Sequence, residues 1–334
     1  MNPSAPSVWL HRFAWLTAAL TLLLPVTTGA IVTTLKAGMA FADWPSSNGH
    51  NMLAYPWLQD GYNLLQNPWM HSVRDQFVEH GHRLSGMTIG LLCLSLIIAA
   101  WLLDRRPAVR FVAIGIFLAV VAQGMLGGAR VLLDEQLLAL LHGDFAALVF
   151  SLMATMVLIT SKGWESRPRL TSQIESQAGM NAALLLLVCL IAQYVMGGFL
   201  RHLRDRGQFA WAWMVHPWFA VVVLFATAMF AFTVMSSESP HVRRCAMALV
   251  GLAVAQSVIG LATWYVKYGV PEWGVVAEQD SVAQIAVCSL HKVVGMTTLM
   301  TGVLSVFCCW AVRPLNDRRQ ANVSMNTPIA GVTT

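Results

Sequence analysis

Eight long apolar blocks limit what this chain can fold into more than any other feature of its sequence. They run roughly over 13–35, 84–103, 110–130, 140–160, 180–200, 213–235, 245–266 and 287–311. A helix needs about 20 residues to cross the hydrocarbon core of a bilayer. Backbone amides in lipid must bond within their own segment, so spans of this length are expected as helices. Charged residues are 11% of the chain, against roughly a quarter in a soluble domain. The expected fold class is therefore all-α: a polytopic membrane protein whose eight transmembrane helices form two pseudo-symmetric four-helix bundles. Only Arg12 precedes the first block as a fixed positive charge, so that block is read as an uncleaved helix.

An even number of spans puts both termini on one side. With the termini inside, the inner segments hold twelve of the basic residues against five acids, and the outer segments hold nine against eleven. That bias predicts cytoplasmic termini and a location in the cell inner membrane. The net charge of +5 then reflects orientation in lipid. No basic stripe or nucleic-acid motif accompanies it. The six cysteines fall in or at the ends of helices, with no C-x-x-C and no C-x-x-C-H, and read as packing residues.

The chain repeats itself. Residues 121–131 read VAQGMLGGARV and residues 254–264 read VAQSVIGLATW, aligning Gln123 with Gln256 and Gly127 with Gly260. Small residues at such positions let helices approach closely in a membrane. The predicted organisation is an N-terminal four-helix bundle (1–160), an inner linker (161–178), a C-terminal four-helix bundle (179–312) and a cytoplasmic tail (313–334). The two copies share one orientation, so the axis relating them is expected along the membrane normal. Two outer segments, 36–78 and 267–286, break the symmetry, and a loop as long as the first is usually functional.

Histidine inside a membrane is costly and marks function. His82, His142, His216 and His291 lie near the outer ends of the four even-numbered helices, two in each half. Facing histidines in a four-helix bundle can hold a heme by two axial bonds. Zinc is the other metal to weigh, but a structural zinc wants four clustered ligands where each half supplies two. Arg83, Arg130, Arg201 and Lys292 stand beside the expected slots and suit heme propionates; interfacial snorkelling would place them equally well. His11, His50, His71, His80, His202 and His241 are read as uninvolved.

The halves differ at one place. Glu79 lies three residues before His82, on the same helix face, whereas Trp213 lies three before His216. A carboxylate beside a heme can take up protons or stabilise a cationic intermediate. The N-terminal half is thus read as the reactive site and the C-terminal half as an electron-transfer or structural site. The plain alternative for Glu79 is a helix-start residue favoured by the macrodipole. Asp144, two residues past His142, is expected to face a neighbouring helix or the outer surface.

These residues resemble the heme A synthase family of cytochrome oxidase assembly proteins over nearly the whole chain. The resemblance is carried by GAIVTTLKAGMAFADWP (29–45), EHGHRLSG (79–86), LHGDFA (141–146), MGGFLRH (196–202) and LHKVVG (290–295). It implies an enzyme that oxidises a porphyrin methyl of heme O to a formyl, through hydroxylated intermediates, giving heme A for terminal oxidases. It also implies heme O and heme A as substrate and product between His82 and His142, a heme b cofactor between His216 and His291, and Glu79 as the essential acid. Heme O synthase and oxidase assembly factors are the partners it suggests, besides membrane lipid. Some bacterial members carry a cysteine pair in the first outer loop; residues 36–78 contain none, so chemistry that uses that disulfide is not available here. Two competing functions use the same histidines: a di-heme b-type quinone or electron-transfer protein, and a heme transporter. Neither would produce a new porphyrin.

Overall fold

The computed structural model describes residues 7–56, 71–165, 167, 170, 173–203, 207 and 211–313. Residues 57–70 of the first outer loop, several positions of the inner linker and the tail 314–334 lie outside the described residues. Among the described residues, eight helices long and apolar enough to cross a membrane follow one another. They are α1 (Val8–Thr34), α2 (His71–Leu103), α3 (Pro107–Leu133), α4 (Gln136–Thr160), α5 (Gln173–His202), α6 (Trp211–Val234), α7 (Pro240–Tyr268) and α8 (Val282–Ala311). The protein is a multi-pass, all-helical membrane protein.

Local chemistry sets the helix boundaries. Pro107 and Pro240 open α3 and α7, where a missing N–H costs nothing. Ser7 and Ser281 cap α1 and α8 by accepting from the amides of Leu10 and Gln284. Asp134, in the left-handed region at φ 48°, ends α3 and allows the tight turn into α4. Several helices outrun their apolar blocks. α2 begins at His71, so the outer loop ends before position 78; its first turns carry polar residues that water can solvate, and the Glu79–Arg83 pair sits at i,i+4 spacing. In the same way α5 begins inside the linker at Gln173, and α7 and α8 leave only 269–281 between them.

The inner α2–α3 turn is held by one buried acid. Asp104 is 6% exposed and accepts from the Arg106 amide at 2.9 Å, from Nε at 3.0 Å and from Nη2 at 2.6 Å. Burial alone would raise this carboxyl, but the Arg106 bonds outweigh it and hold it below the ordinary carboxylate range. The stabilisation is therefore complete above the unfolded-chain value of about 3.9 and is lost as pH falls through the lowered folded value. Asp104→Asn is expected to cost about 1.5–3 kcal/mol, the range for a hydrogen bond to a charged group. Thermal unfolding in detergent should show the variant less stable at pH 7 and the difference shrinking in acid.

Packing follows sequence order. α1, α2, α3 and α4 each touch the next and α4 returns to α1; α5 to α8 do the same, with α8 returning to α5. α4 and α8 touch each other, α8 also packs on α1, and α4 on α5. Phe232, Leu102, Trp218 and Leu261 point outward, each more than 70% exposed, as lipid-facing residues do. The described part of the inner linker closes on the inner end of α8: Trp164 stacks on Phe307 at 5.1 Å, and the Leu170 amide donates to the Val312 carbonyl.

Candidate functional site: two crossed imidazole pairs

The four histidines meet in two pairs, across α2 and α4 and across α6 and α8. The rings of His82 and His142 have centroids 6.2 Å apart and planes at 88°. Those of His216 and His291 are 6.4 Å apart at 86°. An imidazole–metal bond of about 2.0 Å, with about 1.1 Å from the nitrogen to the ring centre, puts two axial imidazoles about 6.2 Å apart. Both gaps therefore have the width of one metal ion held from opposite sides. Among the described residues, no three His, Cys, Asp or Glu converge as a structural zinc would want. The donor set fits heme.

One arrangement seats each ring. A Cβ on Gly29 would fall 2.8 Å from Cε1 of His82, one on Gly127 2.9 Å from that of His142, one on Gly197 3.1 Å from that of His216, and one on Gly260 3.2 Å from that of His291. Every odd-numbered helix thus offers a glycine to the histidine of the helix that follows it. Four residues before the glycine stands a glutamine in three of the four cases. Gln123 Nε2 donates to the His142 carbonyl at 2.8 Å, Gln193 Nε2 to that of His216 at 3.0 Å, and Gln256 Nε2 to that of His291 at 3.0 Å. The sequence signal is Ala-Gln-x-x-x-Gly at 122–127, 192–197 and 255–260. The first and third copies stand out as a repeat; the second needs the structure to be noticed.

The N-terminal pair has its ring hydrogen placed by acceptors. His142 Nδ1 lies 3.1 Å from the Gln123 carbonyl, which can only accept. His82 Nδ1 lies 3.1 Å from Thr28 Oγ1, whose own hydrogen goes to the Leu24 carbonyl at 2.7 Å. Both rings therefore carry hydrogen on Nδ1, which leaves Nε2 as the nitrogen that could bind a metal. Among the described residues, Nδ1 of His291 is buried with no hydrogen-bond partner, and the His216 ring faces the Gln193 backbone.

Glu79 is 3% exposed and held on both carboxylate oxygens. Its Oε2 accepts from the amides of Ala40 at 2.7 Å and Phe41 at 3.3 Å, and its Oε1 accepts from Arg83 Nη2 at 2.7 Å and Nε at 3.2 Å. Arg83 Nη1 reaches on to the carbonyls of Asp43 and Ser46, each at 2.8 Å. Arg130 of α3 donates to the Gly38 carbonyl, and the Trp44 ring lies against Gly128 of α3. His80, fully buried, meets Ser47 Oγ at 3.3 Å and packs on Tyr55, facing away from His82. The segment after α1 is thus pinned over the outer ends of α2 and α3. Within it, Asp43 is raised by burial, but the amides of Gly49 and Asn48 and the Ser46 hydroxyl prevail and lower it to about 2. At the position equivalent to Glu79, Trp213 packs against Trp264 at 4.5 Å with its Nε1 unpaired.

The remaining cations lie where the two sets of helices meet. Arg201 Nη2 donates to the Ala30 carbonyl and to Thr34 Oγ1, both at 2.8 Å, while its Nε is buried without a partner. Lys292 Nζ and His202 Nε2 both approach Gly143, 3.3 and 3.2 Å from where a Cβ would stand, and Asp144 turns to Gly198 of α5. His202, read from sequence as uninvolved, is therefore the last residue of α5 and belongs to this buried polar seam. Asp144 does face a neighbouring helix.

Fold and site together define a multi-pass helical membrane protein with two opposed imidazole pairs, one overlaid by a carboxylate–arginine staple. The family model described as cytochrome oxidase assembly protein, COX15-CtaA, matches residues 11–277, most of the chain, and includes Glu79, His82, His142 and His216. The chain belongs to that family. A heme A synthase from Shouchella clausii (strain KSM-K16) is 30% identical over 129 residues, which is 37% of this chain and 42% of that relative's length.

Proposed function

We propose that the protein is a heme A synthase of the cell inner membrane, with both termini cytoplasmic, that oxidises a porphyrin methyl of heme O to a formyl. The observation that carries this reading is the pair of imidazole gaps, 6.2 and 6.4 Å wide, of which only one has a carboxylate a helical turn away. Helices α1–α4 take heme O between His82 and His142. Helices α5–α8 hold a b-type heme between His216 and His291, and that heme supplies one-electron transfer when bound. Glu79, one turn outward from His82, would accept the proton released when an external oxidant takes the electrons of a methyl C–H bond or of its hydroxylated product. Arg83 positions Glu79, and together they hold the outer segment over the site and keep water out. Arg201 Nε has no hydrogen-bond partner among the described residues and Lys292 has Asp144 as its neighbouring acid, a cationic pair that suits carboxylate groups of a porphyrin edge; Arg83 and Arg130 line the same rim through the outer segment.

The test is the purified protein itself. Mass spectrometry of extracted hemes is expected to find b-type heme together with O-type, hydroxylated and A-type heme. Heme b alone, with reversible redox spectra and quinone turnover, would favour the di-heme electron carrier instead. The ring angles give a second readout. Crossed imidazole planes leave the two iron d orbitals that overlap with the rings nearly degenerate. Both ferric sites should then give strongly anisotropic low-spin EPR signals, each dominated by one large g value. Ordinary rhombic three-line spectra would contradict the crossed geometry.

A further inference from the structure

The fourth helix pair lacks the clamp that the other three share. Where α3, α5 and α7 place Gln123, Gln193 and Gln256 four residues before the glycine, α1 places Pro25 before Gly29. Proline has no donor to offer, and inside a helix it removes a hydrogen bond and clashes with the preceding turn. Here α1 loosens into a π-turn over Leu22–Val26. The hydroxyls of Thr27 and Thr28 take up the carbonyls of Leu22 and Leu24, each at 2.7 Å. The His82 carbonyl, which a neighbouring helix would otherwise hold, accepts instead from Ser85 of its own helix at 2.7 Å. Three histidines are thus tied through the main chain to an adjacent helix. His82 is tied to α1 only by its ring, through the Thr28 hydroxyl and the Pro25 backbone. π-turns of this kind often mark functional positions, and proline is among the usual causes of a helix kink.

We propose that Gln123, Gln193 and Gln256 are positioning residues that fix three axial histidines, and that the missing fourth clamp makes His82 the exchangeable ligand. On this view substrate heme enters and product leaves by separation of α2 from α1 at the Pro25 turn, while His142 stays in place. The division of labour follows chemistry. A resident cofactor needs both ligands fixed, whereas a site that turns over its heme needs one that lets go. The inference rests on the heme-binding reading above and adds to it which bond yields.

Thr28 and Ser85 supply the test. Their hydroxyls are 3.3 Å apart across α1 and α2, near enough for a disulfide if both become cysteine. In the full chain carrying both hemes, Thr28→Cys with Ser85→Cys should be compared oxidised and reduced, with bond formation checked by mass spectrometry. The loss of the Thr28 hydroxyl is common to both forms and cancels. Oxidation is expected to slow both CO binding by reduced heme in the N-terminal site and transfer of that heme to apomyoglobin by at least about 10-fold, a barrier change of about 1.4 kcal/mol. The C-terminal heme should be unaffected. Equal rates in the two forms would overturn the proposal. Two single substitutions cover a failure of the double variant to fold. Gln256→Leu should make the C-terminal heme at least about 10-fold more reactive to CO with only a small loss of thermal stability, since about one hydrogen bond is removed. Pro25→Ala should slow exchange at the N-terminal site. No change in either would also sink the idea. A preparation with no heme in either half would refute the proposed function instead, and so separates the two failures.

Discussion

Gly29→Val should empty the proposed heme site between His82 and His142 and leave the proposed site between His216 and His291 filled; Gly197→Val should do the reverse. The expectation comes from the close approach of glycine and imidazole. The Cβ that valine brings at 29 would stand 2.8 Å from Cε1 of His82, and at 197 it would stand 3.1 Å from Cε1 of His216. The first contact cannot persist and the second is tighter than nearly all Cβ contacts, and both ring and glycine belong to long helices, so neither backbone yields easily. The ring must swing, and Cε1 is bonded to the nitrogen that would bind iron. Metal and cofactor sites tolerate about 0.5 Å of misplacement before they fail. Valine also carries two γ-carbons where the ring now lies. Heme content per protein, read as the pyridine complex, should fall from two to about one in each variant, with affinity at the damaged site down at least about 100-fold, or about 2.7 kcal/mol. Alanine grades the same effect. It should harm Gly29 and Gly127, with approaches of 2.8 and 2.9 Å, more than Gly197 and Gly260, with 3.1 and 3.2 Å. Retention of both hemes in the valine variants would show that the rings are not seated on these glycines. Loss of both from a single substitution would show that the two sites are not independent.

What the sequence discloses here, and what it hides, follows from the solvent. In lipid the price of an unsatisfied backbone is so high that hydrophobic length alone reveals a span. That is why eight apolar runs lead to eight helices, and why four histidines stand out within them. Lipid does not separate a helix face that meets protein from one that meets acyl chains, since both are apolar. The pairing of His82 with His142 is legible only through the repeat, not through any amphipathic pattern. Helix ends are blurred for the complementary reason. The first turns of α2, from His71, are polar and stand clear of the apolar run, so hydropathy begins the helix too late. Ala-Gln-x-x-x-Gly at 192–197 passes unnoticed because glutamine and glycine are each ordinary in a membrane helix. Only the placement of Gln193 against the His216 carbonyl gives it meaning. His202 is hidden by its position at the end of α5, where a flanking histidine is unremarkable. Its approach to Gly143 from another helix is a tertiary fact.

Glu79→Gln should keep both hemes and lose heme A formation by at least about 100-fold, the lower end of what a positioned general base contributes. The site leaves two ways for that loss to arise, and a second substitution tells them apart. Glu79 accepts from two amides of the outer segment and from Arg83, so the amide variant presents a donor where an acceptor is needed. Removing one partner of a buried ion pair typically costs 3–5 kcal/mol locally, enough to release residues 40–46 from above His82. If Glu79 acts only as that anchor, Arg83→Gln, which breaks the same pair and also frees the carbonyls of Asp43 and Ser46, must lose as much product as Glu79→Gln. If Glu79 takes the substrate's proton, Arg83→Gln retains the carboxylate and should keep a measurable fraction of the activity, with an altered pH profile. Glu79→Gln should show no pH at which activity returns. The assay is heme analysis of membranes supplied with heme O, normalised to protein and to bound heme. Undiminished heme A in Glu79→Gln would remove the carboxylate from the chemistry and leave it as a tie for the outer segment. Equal losses in both variants, with outer-segment proteolysis rising in parallel, would say the same.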